Sequence, residues 1–251
     1  MNSKIKNYLF GLIGFLVVLL IWSLLYLLKL YNPLLIPSPL DVMKTFFISL
    51  FDKVFLQNLI ATFSRIIVAF LLSSVIGVSI GLFVGYYKII NLTTEPLIDF
   101  LRSLPGIVLF PVFILFFGVG DLSRLLVAIF IASPVILINT KYGVMNSNRL
   151  RKNMSKLYGL NNFTLFYKII LPEASPYIFT GLRIGISLTI IMVIVTEMML
   201  GTDYGLGHLL VISQYQFNTP LMYSVIVLLG CIGFILNICF NKIEKKIFHW
   251  R

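Results

Sequence analysis

Apolar residues fall into six long runs separated by short polar stretches, at about residues 8–30, 58–87, 95–117, 122–140, 177–201 and 221–240. A helix needs roughly 20 apolar residues to cross the hydrocarbon core of a bilayer. Each run is therefore expected to span the membrane. The third holds Pro105 and Pro111 and is expected to be kinked or broken; the fourth is short and holds Pro134. Between the first two runs, Ile36-Pro37-Ser38-Pro39 leads into residues 40–47, which read as a short amphipathic helix with Ser38 or Asp41 near its cap. The pattern predicts an all-α integral membrane protein with six transmembrane helices. Three parts are expected: residues 1–57, the first span plus the amphipathic segment; residues 58–241, a five-span core with a long polar loop at 141–176; and a tail at 242–251.

Composition agrees. Of 251 residues, 59% are hydrophobic and 12% are charged, against about 25% charged in an ordinary soluble domain. A soluble enzyme, a secreted disulfide scaffold, a disordered tail and a nucleic-acid module are all poor fits. The net charge of +11 is explained by topology. Six spans put both termini on one side, and fifteen of the twenty Lys and Arg residues then fall on that side. The bias makes it the cytoplasmic one, and no nucleic-acid partner is needed. Cys231 and Cys239 form no metal or redox motif and are expected to be packing residues.

Small residues recur every four positions in the second span, at Ser73, Gly77, Gly81 and Gly85, and the fifth holds Gly181 and Gly185. Such a face lets another backbone approach closely. It is expected to serve packing within the chain, or else a subunit interface or sliding wall. Charges inside spans are costly. Arg183 lies near the cytoplasmic end of its span and can snorkel. Arg65 and Glu197 lie at similar depth near the outer side, and are expected to pair or flank a wet cavity, or else to hold separate partners. Arg65 and Arg102 are the candidates for contact with a solute.

The loop at 141–176 is shaped. Arg149, Lys152 and Lys156 are spaced for one face of a short helix, and Gly159 is placed to stop it. Asn161 or Asn162 is expected to cap a second helix over residues 163–171, ended by Pro172. The outer loop at 202–220 carries Gly205, Gly207 and His208.

Gly159, nine residues, then Ile169-Ile170-Leu171-Pro172 resembles the cytoplasmic-loop signature of permease subunits of binding-protein-dependent ABC importers. Ile36-Pro37-Ser38-Pro39, Leu101-Arg102-Ser103-Leu104-Pro105, Phe116-Phe117-Gly118-Val119-Gly120-Asp121, the run from Pro172 to Arg183, Glu197-Met198 and Gly205-Leu206-Gly207 are similar to the nitrate, sulfonate, taurine and bicarbonate group of that family. The resemblance implies a type I permease fold that docks through Arg149, Arg151, Lys152, Asn153, Met154, Ser155, Lys156, Gly159, Leu171 and Pro172 onto an ATPase. It implies a homodimer, two ABC ATPase subunits that carry ATP and Mg, an extracytoplasmic solute-binding protein, and passage of a small anion; a vitamin precursor is the alternative. Asn153-Met154-Ser155 stand where the family has Glu-Ala-Ala, so a charged contact from position 153 is missing.

The chain has no Gly-Lys-Ser/Thr phosphate loop of its own, and no cofactor is expected on it. A membrane enzyme would need carboxylates, histidines or a nucleophile clustered at one depth, and the nine acidic residues and two histidines are scattered. A stand-alone secondary transporter would be expected to show an internal repeat and midplane ions.

Overall fold

A computed structural model describes residues 3–32, 34–147, 150–151, 158–199 and 203–248; of residues 3–9 and 12 only the backbone is described. The described chain is helical throughout, with helices α1 (Ser3–Leu27), α2 (Pro39–Ser49), α3 (Lys53–Tyr86), α4 (Lys88–Ser103), α5 (Phe110–Phe117), α6 (Asp121–Met145), α7 (Asn162–Leu165), α8 (Leu171–Met199), α9 (Leu206–Tyr215) and α10 (Thr219–Ile247). Four stretches among the described residues are long and apolar enough to cross a membrane: α3, α6, Asn162–Met199 and α10. The bent pair α4–α5 supplies a fifth.

Helices α3, α6 and α8 form the centre, and glycines set how closely they approach. A methyl group at Gly77, Gly81 or Gly85 would lie within 2.7–2.9 Å of Ile136, Thr140 or Val144 or of backbone carbonyls on α6. Gly181 and Gly185 of α8 meet Asn139 and Ile136 of α6. Both small-residue faces therefore pack inside the chain, where close backbone contact replaces the hydrophobic force that lipid cannot supply. Helix α2 begins as the sequence predicts: the Ser38 hydroxyl accepts from the Asp41 amide at 3.0 Å and donates to its carboxylate at 2.6 Å. It rests on α10, where Ser224 donates to the Val42 carbonyl at 2.9 Å. Trp22 ties α1 to this corner by donating to the Pro37 carbonyl at 3.1 Å and stacking on Tyr223.

Four expectations need correction. The third run begins at Lys88 rather than near residue 95, and it turns through 88° between α4 and the segment Gly106–Phe117. Pro105 lacks an amide hydrogen and forces Leu104 to an extended ψ of 128°, so the helix stops there. The fourth runs on past residue 140 to Met145 and carries Pro134 without breaking, so Lys141 belongs to the helix and not to the loop. Pro172 does not end the second loop helix. The chain widens into a π turn over Phe166–Ile170, in which the Leu171 amide donates five residues back to Phe166. That wider turn absorbs the hydrogen bond that Pro172 cannot make, and Asn162–Met199 is one helical stretch of 38 residues. Finally, Cys231 and Cys239 are exposed. They lie on α10, the least buried of the four long helices, whose outer face suits lipid as well as a protein interior would.

Candidate functional site

Three neighbourhoods hold the residues singled out by sequence. The first is where α3 starts and α8 ends. In α3 the polar residues Asn58, Thr62 and Arg65 follow one another at helical spacing and share a face. All three are buried. Arg65 Nη1 donates to Glu197 Oε1 at 2.7 Å and to the Tyr204 carbonyl at 2.8 Å, while its Nε donates to Asp121 Oδ1 at 2.9 Å. The same Asp121 oxygen accepts from Arg124 at 3.1 Å.

Glu197 is 1% exposed and fully engaged. Besides Arg65 it accepts from the Thr62 hydroxyl at 2.8 Å and from the Gly207 amide at 3.0 Å. Thr62 accepts from the Leu206 amide at 2.7 Å, and Asn58 accepts from the Gly205 amide at 2.7 Å. Three successive amides are thus held by α3 and Glu197. Gly205 and Gly207 lie so close to the carboxylate that a side chain at either would overlap Glu197. With donors from α3 and from the segment at residues 205–207, Glu197 acts as a clamp between them. Among the described residues no group of three His, Cys, Asp or Glu could hold a metal.

The second neighbourhood is the opposite end of α8. Asn161 caps α7 by accepting from the Thr164 amide at 2.8 Å. Gly159 takes φ +68°, the left-handed conformation that suits glycine. Leu165 and Ile170 are buried with Val144, Ala174 and Ile178, and Phe166 meets Tyr86 edge to face at 5.5 Å. Leu171 is half-buried and Pro172 exposed. The segment is therefore fixed to α3, α6 and α8. Its outward surface carries exposed Tyr158, Phe163 and Tyr167. Arg151 reaches back to Glu173 at 2.7 Å. Arg149, Lys152, Asn153, Met154, Ser155 and Lys156 lie outside the described residues.

The third neighbourhood is the break between α4 and α5. Arg102 is exposed there, and its ion pair is with Asp99 at 3.4 Å. Two further charged contacts lie elsewhere. Lys141 of α6 is buried and bonds Glu95 of α4 at 3.0 Å. Arg183 does not simply snorkel but donates to Asn241 at 2.6 Å and faces Glu244 at 3.4 Å, which joins α8 to α10.

Residues 74–249 match the family model of the binding-protein-dependent transport system inner membrane component. The chain belongs to that family. It is a multi-pass permease of the inner membrane. Among relatives, it is 30% identical to the formylaminopyrimidine transport permease of Halalkalibacterium halodurans, over 94% of each chain. It is 25% identical to the taurine transport system permease of Escherichia coli, over 95% of this chain and 88% of that one. In fold it is similar to an inward-facing structure of the MetNI methionine ABC transporter, with a TM-score of 0.69 at 19% identity, over 77% of this chain and 96% of that chain.

Sequence reading brought Arg65 and Glu197 to one depth, and the structure brings them into contact. It missed Asn58, Thr62 and Asp121, and the pair Lys141–Glu95. The signal for the first two was available, since their spacing with Arg65 marks a polar stripe on an otherwise apolar helix. The i,i+3 spacing of Asp121 and Arg124 was also available, but Arg65–Asp121 and Lys141–Glu95 each join two different helices, and no spacing within the chain connects them.

Proposed function

We propose that the chain is the permease subunit of an ATP-driven importer for a small anion. Two copies form the pathway, each with six spans and both termini in the cytoplasm. Two ATPase subunits dock on the Gly159 end, and a solute-binding protein docks on the Glu197 end. ATP and Mg act on the ATPase subunits, and this chain itself carries out no chemistry.

One observation carries the reading: the unbroken helical stretch Asn162–Met199. It starts in the segment expected to meet the ATPase and crosses the centre of the molecule. It ends two residues after Glu197, in the clamp that holds residues 204–207. A displacement at one end has a stiff route to the other. The exposed aromatic surface of Tyr158, Phe163 and Tyr167 supports docking beside the coupling segment. The excess of basic residues on the Gly159 side supports its cytoplasmic placement.

Deleting residues 149–160 tests the reading. Membrane insertion should persist and ATPase association should be lost. If the ATPase still copurified and transport continued, the assignment of the coupling segment would be wrong. A second reading, import of a vitamin precursor, rests on the likeness to the formylaminopyrimidine permease. Ligand binding by the copurified solute-binding protein separates the two.

A further inference from the structure

The two arginines that sequence could not rank are separated by the structure. Arg65 is occupied by Glu197, Asp121 and the Tyr204 carbonyl at 2.7–2.9 Å. Arg102 is held only by Asp99, at 3.4 Å, among the described residues, with both side chains more than half exposed. Charge-assisted hydrogen bonds of this kind are ordinarily about 2.7–2.9 Å long. Most of the guanidinium's donors are therefore left open.

The position matters more than the pairing. Arg102 borders a cavity of about 250 Å³. Its other walls include Leu104, Phe130, Ile131, Pro134, Val135 and Leu188. Residues 130–135 are the middle of the 25-residue α6, and Leu188 lies near the middle of the 29-residue α8. The guanidinium is thus close to mid-depth in the bundle. Beside it the helix is interrupted, with Pro105 exposed on extended backbone. Neither an open ion pair nor non-helical backbone is stable against lipid at that depth; each must face protein or water. In a dimeric permease the face that meets both demands is the passage between the two copies.

We infer that Arg102 is the pathway's anion contact. It binds the charged group of a small solute in the cavity at the α4–α5 break, and Asp99 holds the guanidinium when no solute is present. The empty site is neutral, which limits its cost in the membrane. An arriving anion takes the open donors as a forked pair, and the long contact to Asp99 need not break. The cavity of about 250 Å³ has room for a small solute. This inference rests on the permease reading above and names the residue that would give it anion preference.

The test uses the complete transporter in proteoliposomes, with its ATPase and solute-binding protein and with Cys231→Ser and Cys239→Ser as background. The probes are nitrate, bicarbonate and taurine, with formylaminopyrimidine as the uncharged control. Arg102→Cys should lower uptake of the transported anion about tenfold or more, the range set by a lost charge-assisted hydrogen bond. Copurification of the ATPase should be unchanged. An aminoethyl thiosulfonate should restore much of the uptake by returning a positive charge, and a sulfonatoethyl reagent should not. Unchanged anion uptake by Arg102→Cys overturns the inference, as does a thiol that neither reagent reaches, or a wild-type transporter that carries only the uncharged probe. Should Arg102→Cys fail to assemble, Asp99→Asn serves instead and should strengthen competition between the anions, with no change overturning the inference. Loss of ATPase copurification in the wild type would instead overturn the permease reading itself.

Discussion

Arg65 of α3 and Glu197 of α8 meet at 2.7 Å, with the carboxylate side chain wholly buried and the guanidinium nearly so. The pair joins two helices of the central bundle. Through Tyr204 and Gly207 it also secures the loop before α9 and the first turn of that helix. Removing one partner of a buried pair strands the other, at a cost of about 3–5 kcal/mol. Glu197→Ala and Arg65→Ala are each expected to lower the thermal unfolding temperature of the detergent-solubilised protein sharply. Exchanging the two charges should give no rescue, because a carboxylate at position 65 would then face Asp121. A double mutant that unfolded at the wild-type temperature would show that Asp121 is not part of the clamp.

Glycine substitutions should divide by what their side chains would meet. At Gly81 an added methyl would sit 2.7 Å from the Leu137 carbonyl and from Thr140 Cβ, with backbone on one side. Overpacking of this kind costs about 1–3 kcal/mol, so Gly81→Ala should separate α3 from α6 and lower stability. Among the described residues Gly230 and Gly233 of α10 meet nothing within 4 Å, and Gly→Ala there should be neutral or slightly stabilising, since alanine favours the helix. Thermal unfolding of the three variants side by side decides the matter. Equal losses at Gly81 and Gly233 would mean that α3 and α6 do not approach as described.

The long helices were legible in the sequence because a membrane span writes its length into a run of apolar residues. The caps Ser38 and Asn161 were legible because their chemistry is local. Helix continuity was not. Pro172 reads as a stop, and only the π turn before it shows how the chain passes through. Pro134 reads as a weak point, yet α6 continues because neighbours on α3 and α8 hold both sides. The site was legible in the same uneven way. Depth placed Arg65 near Glu197, but partners from distant helices, such as Asp121 and Glu95, follow from packing alone.

Lys141 is 3% exposed, and its ammonium meets Glu95 at 3.0 Å, with that carboxylate 42% exposed. The asymmetry predicts unequal mutants. Glu95→Gln leaves a buried ammonium without its countercharge, and should cost about 1–3 kcal/mol. Lys141→Met replaces the ammonium with an apolar chain of similar length and leaves a carboxylate that can still reach water, so its cost should be smaller. Unfolding midpoints of the two single mutants and the double mutant measure the coupling directly. A larger loss from Lys141→Met than from Glu95→Gln would contradict the burial of the lysine.

Gly159 separates conformation from contact in the coupling segment. Its φ of +68° is left-handed, and among the described residues a side chain there would meet nothing within 4 Å. The constraint is therefore the backbone alone. A left-handed conformation costs most L residues about 1–2 kcal/mol, while asparagine tolerates it. Gly159→Asn should keep ATPase binding and transport close to wild type. Gly159→Ala should weaken coupling, and the β-branched Gly159→Val should weaken it further. Thermal stability should barely change across the series, because the residue is exposed and the central bundle lies elsewhere. The measurement is ATPase stimulation by the loaded solute-binding protein in the reconstituted transporter. Equal activity in all three variants would mean that the turn at Gly159 is not what presents the coupling segment. An order that followed side-chain size, with Asn as poor as Val, would point to a direct contact with the ATPase at this position.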